Sequence, residues 1–413
     1  MTRTIVIGAG VIGLACAYSL KCRGVDVVLV EMNLPGQACS KGNCGWVTPS
    51  ISSPIPAPGL TWTSIKWMLK SDSPLYISPV AVPSLARWLW QFWRHCNTTD
   101  FLAGLNAVSS LNQSTFAAFA QLERDGVQFE FHRDGLLFVF KDESYMEGAR
   151  TEFEYYKNYG YEVPERLSGD ELRRLEPALS RSVTSGFLVK EEAHVRPESL
   201  AAGYLAKLKL LGVEVKTGSR FVSAAKKGRR VTEIQTDDES LSCDNVLIAA
   251  GAWSGKVSKL FDVTIPVQAG KGYSVTVSGG GPKLVRPLYL GEARIGCSPY
   301  NGAVRFAGTM ELSGINMELD RRRVTGIRNG IREYLAEPLG ETEGIEWVGM
   351  RPLTPDGLPL LGKVPRYDNL FLATGHAMLG VTLAPATGEL MADLIAGEEN
   401  PIAKPFDPGR FNW

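Results

Sequence analysis

An apolar run that stops on glycines spaced G-x-G-x-x-G constrains this chain more than any other feature. The run is Ile5-Val6-Ile7, the glycines are Gly8, Gly10 and Gly13, and a helix-compatible stretch follows. The first glycine permits a tight turn. The second lets a pyrophosphate approach the backbone. The third, with Ala17 four residues on, lets the helix pack closely on the strand. A helix that begins at Val11 and Ile12 offers unpaired N–H groups and a positive partial charge to phosphates. A second apolar strand, Val25 to Val30, ends in Glu31, with Met32 after it. An acid at that place can hydrogen-bond a ribose hydroxyl and disfavours a 2′-phosphate. Glycines, Ala17, strand context and Glu31 together point to a bound FAD or NAD.

At 413 residues the chain is long enough for two domains around substantial cores. Lys plus Arg number 44 and Asp plus Glu number 44, so no global field favours nucleic acid. Seven cysteines are scattered with no C-x-x-C pair, a pattern that suits reduced thiols in the cytoplasm. No metal is expected. No signal peptide is visible, and no apolar run of about 18 residues exists to span a bilayer. A cytoplasmic protein is therefore expected, in peripheral contact with the membrane at most.

Turn residues and periodicity divide the rest. A glycine-rich loop, Gly36 to Gly45, precedes a proline-rich extended piece, Pro49 to Gly59. Trp62 to Glu123 reads as mostly helical, Gly135 to Phe140 as a strand, and Asp142 to Tyr159 as a helix. Ser168-Gly169-Asp170-Glu171 forms a capping box. Pro197 opens a helix that ends at Gly212. Strands are expected over Val213 to Lys216, Val231 to Thr236 and Asn245 to Ala250. Val263 to Gly308 alternates short β runs with turns, which suggests an antiparallel sheet. Glu318 to Leu335 reads as a helix, Thr354 to Gly357 as a turn, Leu370 to Ala373 as a strand and Leu383 to Ile395 as a closing helix. The expected fold is α/β: a discontinuous Rossmann-like dinucleotide domain (1–75, 192–262 and 346–413) and an α+β substrate domain on an antiparallel sheet (76–191 and 263–345).

Several blocks carry a resemblance. They are Gly349-Met350-Arg351-Pro352-Leu353-Thr354-Pro355-Asp356-Gly357, Ala373-Thr374-Gly375-His376, Leu379 to Gly388, Pro56-Ala57-Pro58-Gly59, Gly270-Lys271-Gly272-Tyr273-Ser274, and Lys66 to Leu69 with Ser73-Pro74. In these the chain resembles the FAD-dependent D-amino acid dehydrogenases, within the D-amino acid oxidase, glycine oxidase and sarcosine oxidase superfamily. The resemblance implies FAD rather than NAD, in a domain of the glutathione-reductase type, with the flavin between the two domains. It implies oxidative deamination of a D-amino acid, D-proline and hydroxy-D-proline among the candidates, by hydride transfer from the α-carbon to flavin N5. Electrons then pass to a quinone-type acceptor. A glycine- or sarcosine-type oxidase using oxygen is the alternative, and a non-catalytic flavin-bearing subunit is a third.

The resemblance also assigns residues. Ser40, Asn43, Cys44, Gly45 and Trp46 belong to the loop that covers the flavin. Val222 lends backbone groups to the adenine. Ala249, Ala250, Gly251 and Trp253 form a second dinucleotide motif, with core packing open for Trp253. Gly375, His376, Leu379, Gly380, Val381 and Thr382 lead into the closing helix, whose N–H groups are expected to face the edge where reduced flavin is anionic. Met350 stands near the position from which sarcosine oxidases bind flavin covalently, so a non-covalent flavin is expected. Arg351 is the expected carboxylate clamp, with Tyr289 as its helper and Met310 beside the substrate. His376 is a catalytic-site residue or a local hydrogen-bonding one. Met378 favours an apolar or cyclic substrate side. Tyr273 and Trp46 either wall the pocket or belong to the core. Trp88-Leu89-Trp90-Gln91-Phe92-Trp93, flanked by Arg87 and Arg94, is either a packed helix or an interfacial anchor. Arg321-Arg322-Arg323 reads as a solvated helix face. Oligomeric state is left open.

Overall fold

The structure, a computed structural model, describes residues 2–59, 75–337, 339–340 and 343–411. Lys66 to Leu69 and Ser73-Pro74 lie outside the described residues. The strand Arg3–Ile7, the helix Val11–Cys22 and the strand Asp26–Glu31 follow the glycine motif as expected. They seed a six-stranded sheet ordered Glu214–Thr217, Asp26–Glu31, Arg3–Ile7, Asn245–Ile248, Leu370–Thr374, Leu360–Lys363. The first five strands run parallel and the last antiparallel. Ile5 sits level with Val28 on one side and Val246 on the other. The strands Arg3–Ile7, Asp26–Glu31, Asn245–Ile248 and Leu370–Thr374 are largely buried on both faces, which is why they read as near-continuous apolar runs. On one face pack the helices Val11–Cys22, Pro197–Leu210 and Gly380–Ala396. On the other lies the meander Phe221–Lys227, Arg230–Thr236, Ser240–Ser242. The first and last helices touch closely: a Cβ on Gly388 would meet the Ala15 carbonyl oxygen at 2.7 Å.

Among the described residues a second, nine-stranded sheet runs Ile345–Leu353, Gln268–Ser278, Ala303–Leu312, Ile295–Tyr300, Leu288–Leu290, Leu136–Phe140, Ser185–Val189, Leu167–Ser168, with Leu75–Ile77 added beside Ala303–Leu312. It is mixed rather than purely antiparallel, because Leu288–Leu290 pairs parallel with Leu136–Phe140 and Leu75–Ile77 parallel with Ala303–Leu312. One face packs on the helix Arg321–Tyr334 through Val275, Phe306, Ile327 and Ile331. The opposite face, rich in small residues, looks toward the loop after Glu31.

Three placements differ from the sequence expectation. Ile345–Leu353 is hydrogen-bonded into this second sheet along its whole length, so the stretch from 346 to 353 belongs there by pairing. The helices Thr98–Asn112 and Thr115–Arg124 bury Val108, Leu111, Phe119 and Leu122 in the core beneath the closing helix, on the dinucleotide side. The helix over 142–159 tightens to a 3-10 helix from Glu152 and ends at Gly160 in the left-handed region, φ 87°.

Candidate functional site

Gly8 has φ 108°, and a Cβ there would sit 2.6 Å from the Ala249 oxygen. One on Gly13 would sit 1.9 Å from the Gly8 oxygen. Only hydrogen fits at either, so Gly13 acts by helix-on-strand packing and does not line the cavity. The turn is braced from its neighbours. Ala9 N–H and Asn33 N–H each donate to Glu31 at 2.8 Å, one to each carboxylate oxygen. Val11 N–H donates to Ser40 Oγ at 3.2 Å. Glu31 thus shapes the turn with one lone pair of each oxygen and leaves the others available.

In front of this turn opens a cavity of about 340 Å³. Among the residues singled out in the sequence, Gly8, Gly10, Val11, Ile12, Glu31, Met32, Ser40, Asn43, Ala249, Ala250, Gly251, Trp253, His376, Gly380 and Val381 line it. Gly380 begins the closing helix, three residues earlier than expected, so its unpaired N–H groups lie at the cavity. Ser219, Arg220 and Phe221 line it too and were missed. Val222, expected to lend backbone groups there, follows Phe221 at a shift in strand register, with its side chain 42% exposed. Gly375 stays behind the wall, at φ 85° with Thr354 2.7 Å from where a Cβ would be. Leu379 is the helix N-cap, and Thr382 donates its hydroxyl to the Trp46 oxygen at 2.9 Å. Among the described residues two buried polar atoms on the wall have no partner, Ser219 Oγ and His376 Nδ1. A cradle of Cβ-free turns, a helix start and waiting polar atoms fit an adenine dinucleotide.

His376 is buried, and burial drops its pKa to about 3. Its Nε2 contacts Thr387 Oγ1 at 3.1 Å. It is therefore a neutral, locally bonded imidazole. Burial raises the thiols of Cys39 and Cys44 to about 11.

Of the remaining expected residues, Arg351, Tyr289 and Met310 lie on the second sheet, Trp46 on the short strand Trp46–Val47 that pairs with Ala193–Val195, and Cys44 and Gly45 in the loop before it, all outside that cavity lining. Met350 and Pro352 line the cavity, so strand alternation sends Arg351 to the other face. Arg351 lies across from Gly270, with its guanidinium over Gly272. A Cβ on Gly272 would be 2.4 Å from the guanidinium carbon. Nη1 donates to the Thr309 oxygen at 2.8 Å. Among the described residues Arg351 has no other hydrogen bond and no carboxylate partner, and burial lowers its pKa. Thr309 holds its carbonyl there from φ 59°, in a bulge where Thr309 and Met310 oppose Gly272 alone. A β-branched residue in that region is strained, a feature that clusters at functional sites.

Trp46 and Tyr289 meet edge to face at 6.1 Å, and Trp46 Nε1 donates to Ser298 Oγ at 3.0 Å. Burial raises the Tyr289 phenol, which keeps it a neutral donor. Cys44 reaches the Gly296 oxygen through Sγ at 3.3 Å, and Gly45 receives a bond from Val195 N–H at 2.7 Å. Met310 packs apart from this pair, with Leu85, Trp88 and Leu353. Tyr273 belongs to the core, donating to Glu311 at 2.7 Å, and Met378 is 49% exposed. Arg323 corrects the solvated-face expectation: it is buried, with its guanidinium over the Tyr76 ring at 4.5 Å, while Arg321 and Arg322 are exposed. Trp88 is buried and donates to the Pro266 oxygen, whereas Trp90 and Trp93 are exposed beside Arg87 and Arg94.

Among the described residues, His132, Asp134 and His194 are a group of ligand type within 4.8 Å of one another. The imidazoles stack at 4.7 Å and 16°, with Nε2 of His132 on Glu130 and that of His194 on the Pro299 oxygen. Parallel rings do not direct their lone pairs to one point.

Residues 3–394 match the DAO family of FAD dependent oxidoreductases. A D-amino acid dehydrogenase of Chromohalobacter salexigens is 30% identical over 97% of both chains. Among solved structures, glycine oxidase of Geobacillus kaustophilus superposes with a TM-score of 0.77 at 20% identity, over 99% of both chains. L-proline dehydrogenase of P. horikoshii gives 0.74 at 16%, over 99% of this chain and 97% of the other.

Proposed function

The chain belongs to the family of FAD dependent oxidoreductases, and on that premise we propose that it oxidises a D-amino acid, with cyclic substrates such as D-proline or hydroxy-D-proline in its range. The observation that carries the proposal is Arg351, a buried guanidinium with one hydrogen bond and no carboxylate among the described residues. An amino acid brings the missing carboxylate, and a planar fork holds it by two parallel bonds. The 30% identical dehydrogenase points the same way.

FAD supplies the two-electron acceptor. Gly8, Gly10, Val11, Glu31 and Ser219 would hold its adenosine and phosphates, and Gly380, Val381 and Asn43 its ring. Arg351 fixes the carboxylate, and Tyr289 gives a second donor that stays protonated. That orientation presents the α-carbon hydrogen to the acceptor, which is the main task in hydride chemistry. The resulting imine is released or hydrolysed by water to the 2-oxo acid. His376, neutral to about pH 3, takes no proton in this scheme.

A quinone-type acceptor is the companion proposal. Exposed Trp90 and Trp93 beside exposed Arg87 and Arg94 suit an anionic lipid surface, where quinones reside. No helix among the described residues is long and apolar enough to cross a membrane. One anaerobic experiment tests the whole: bleaching of oxidised flavin across D- and L-amino acids, both prolines, glycine and sarcosine, followed by reoxidation with a quinone analogue or air. Bleaching by D-amino acids and faster reoxidation by quinone are expected. Bleaching by glycine or sarcosine alone, with reoxidation in air, would replace the proposal by an oxidase. No bleaching by any of them would leave a non-catalytic flavoprotein.

A further inference from the structure

Arg305 lies on the same second sheet and is 3% exposed. Each of its three nitrogens has an acceptor. Nε donates to Thr276 Oγ1 at 2.9 Å. Nη1 donates to the carbonyls of Lys41 at 2.7 Å and Asn43 at 2.9 Å. Both terminal nitrogens meet Glu198, on the helix Pro197–Leu210 of the dinucleotide side. The next carbonyl, Cys44, accepts from Ser298 Oγ at 2.7 Å and Tyr300 Oη at 2.6 Å. The second sheet therefore draws the loop carbonyls toward itself.

A trans peptide is planar, so a carbonyl held one way turns the next N–H the other way. Holding the Lys41 oxygen turns Gly42 N–H away from the sheet. Holding the Asn43 oxygen does the same for Cys44 N–H. Lys41, Asn43 and Gly45 spend their own N–H groups on Ala38, Ser40 and the Asn43 side chain. Gly42 and Cys44 N–H have no partner among the described residues. The same loop lines the cavity through Cys39, Ser40 and Asn43.

We propose that Arg305, braced by Glu198, is a positioning residue that aims the peptide N–H groups of Gly42 and Cys44 at the acceptor edge of the flavin. Two such donors favour the reduced, anionic ring over the oxidised one, so the pair tunes the flavin's reduction potential.

The test reads the flavin itself, needs no substrate, and so stands or falls separately from the proposed amino-acid oxidation. Holoenzyme and the variants Arg305→Lys, Arg305→Met, Glu198→Gln and the Arg305→Met/Glu198→Gln double variant are reduced chemically against a reference dye. At fixed dye potential the reduced-to-oxidised ratio is expected to fall about tenfold in Arg305→Met, the worth of one hydrogen bond to an anion. The visible flavin spectrum should shift with it. Arg305→Lys should recover part, since one ammonium reaches fewer carbonyls. The double variant should regain stability, because no charge is left buried alone, yet keep the shifted ratio. Wild-type ratio and spectrum in Arg305→Met would overturn the proposal. If Arg305→Met does not load FAD, the same unchanged values in Arg305→Lys and Glu198→Gln would overturn it.

Discussion

Arg351→Met separates activity from stability more sharply than any other change at this site. A guanidinium is removed from a buried place where, among the described residues, it has one hydrogen bond and no counter-ion. Truncating one partner of a buried charge pair costs about 2–5 kcal/mol of binding, much of it from the charge left unpaired. At roughly 1.4 kcal/mol per tenfold, kcat/KM for the best amino acid should fall on the order of 30- to several thousand-fold. The free protein experiences the opposite. It loses a desolvated charge and one bond to the Thr309 oxygen, a replacement that is often neutral or stabilising. Melting temperature should therefore hold or rise, with FAD content near wild type. Arg351→Lys should recover only part of the rate, for want of the planar fork. The assays are anaerobic stopped-flow bleaching over a range of substrate concentrations, thermal melting and flavin absorbance. Near-wild-type kcat/KM in Arg351→Met would place the carboxylate clamp elsewhere. A melting point several degrees lower would make Arg351 a structural residue.

Gly272→Ala should mimic part of that loss, since its Cβ would come 2.4 Å from the guanidinium; bleaching rates should drop by about tenfold or more with FAD retained, and an unchanged rate would show that Arg351 has room to move. Glu192 is buried on Ser50 and its pKa is raised to about 8 from 4.5. The folded state then binds more protons between those values, and stability is lost as pH rises through that window. The melting-point advantage of Glu192→Gln over wild type should grow from about pH 5 to pH 8, and a flat difference would contradict the buried acid. With the Cys39 and Cys44 thiols raised to about 11, no thiolate is at hand for a covalent bond, so acid precipitation should release the yellow colour; flavin retained in the pellet would show a covalent link.

The parts of the fold legible in the sequence were those with a local cause. Gly8 and Gly13 must be glycine because a backbone oxygen occupies the place of a Cβ, and the strand that follows ends in the acid that braces the turn. The capping box at Ser168 and Glu171 forms as read, since both its bonds span three residues. What was not legible depends on distant pairing. Ile345–Leu353 looked continuous with the C-terminal dinucleotide segment, and only its partner Gln268–Ser278 decides its sheet. Arg323 sits in an exposed-looking triplet, and the Tyr76 ring that covers it is 247 residues away in sequence. Ser219 and Arg220 carried no motif at all, because a wall made by a turn after a parallel strand is defined by the sheet order.

Two buried arginines on the second sheet differ in how far the protein itself satisfies them. Arg305 is bonded to a hydroxyl, two carbonyls and a carboxylate, so each of its nitrogens is engaged and its charge is paired. Its position is fixed and its effect must pass through the loop it holds. Arg351 has equal donor capacity and a single bond among the described residues. Burying five donors for one acceptor is costly to the free protein. On the proposed role a bound carboxylate offsets that cost, with the guanidinium seated over Gly272 and bonded to the carbonyl of Thr309. The same difference predicts what a carboxylate ligand does to stability. A substrate-like acid that cannot be oxidised should raise the melting point of wild type in proportion to its affinity, leave Arg351→Met unmoved, and still stabilise Arg305→Lys. Equal stabilisation of wild type and Arg351→Met would mean that the anion docks away from Arg351.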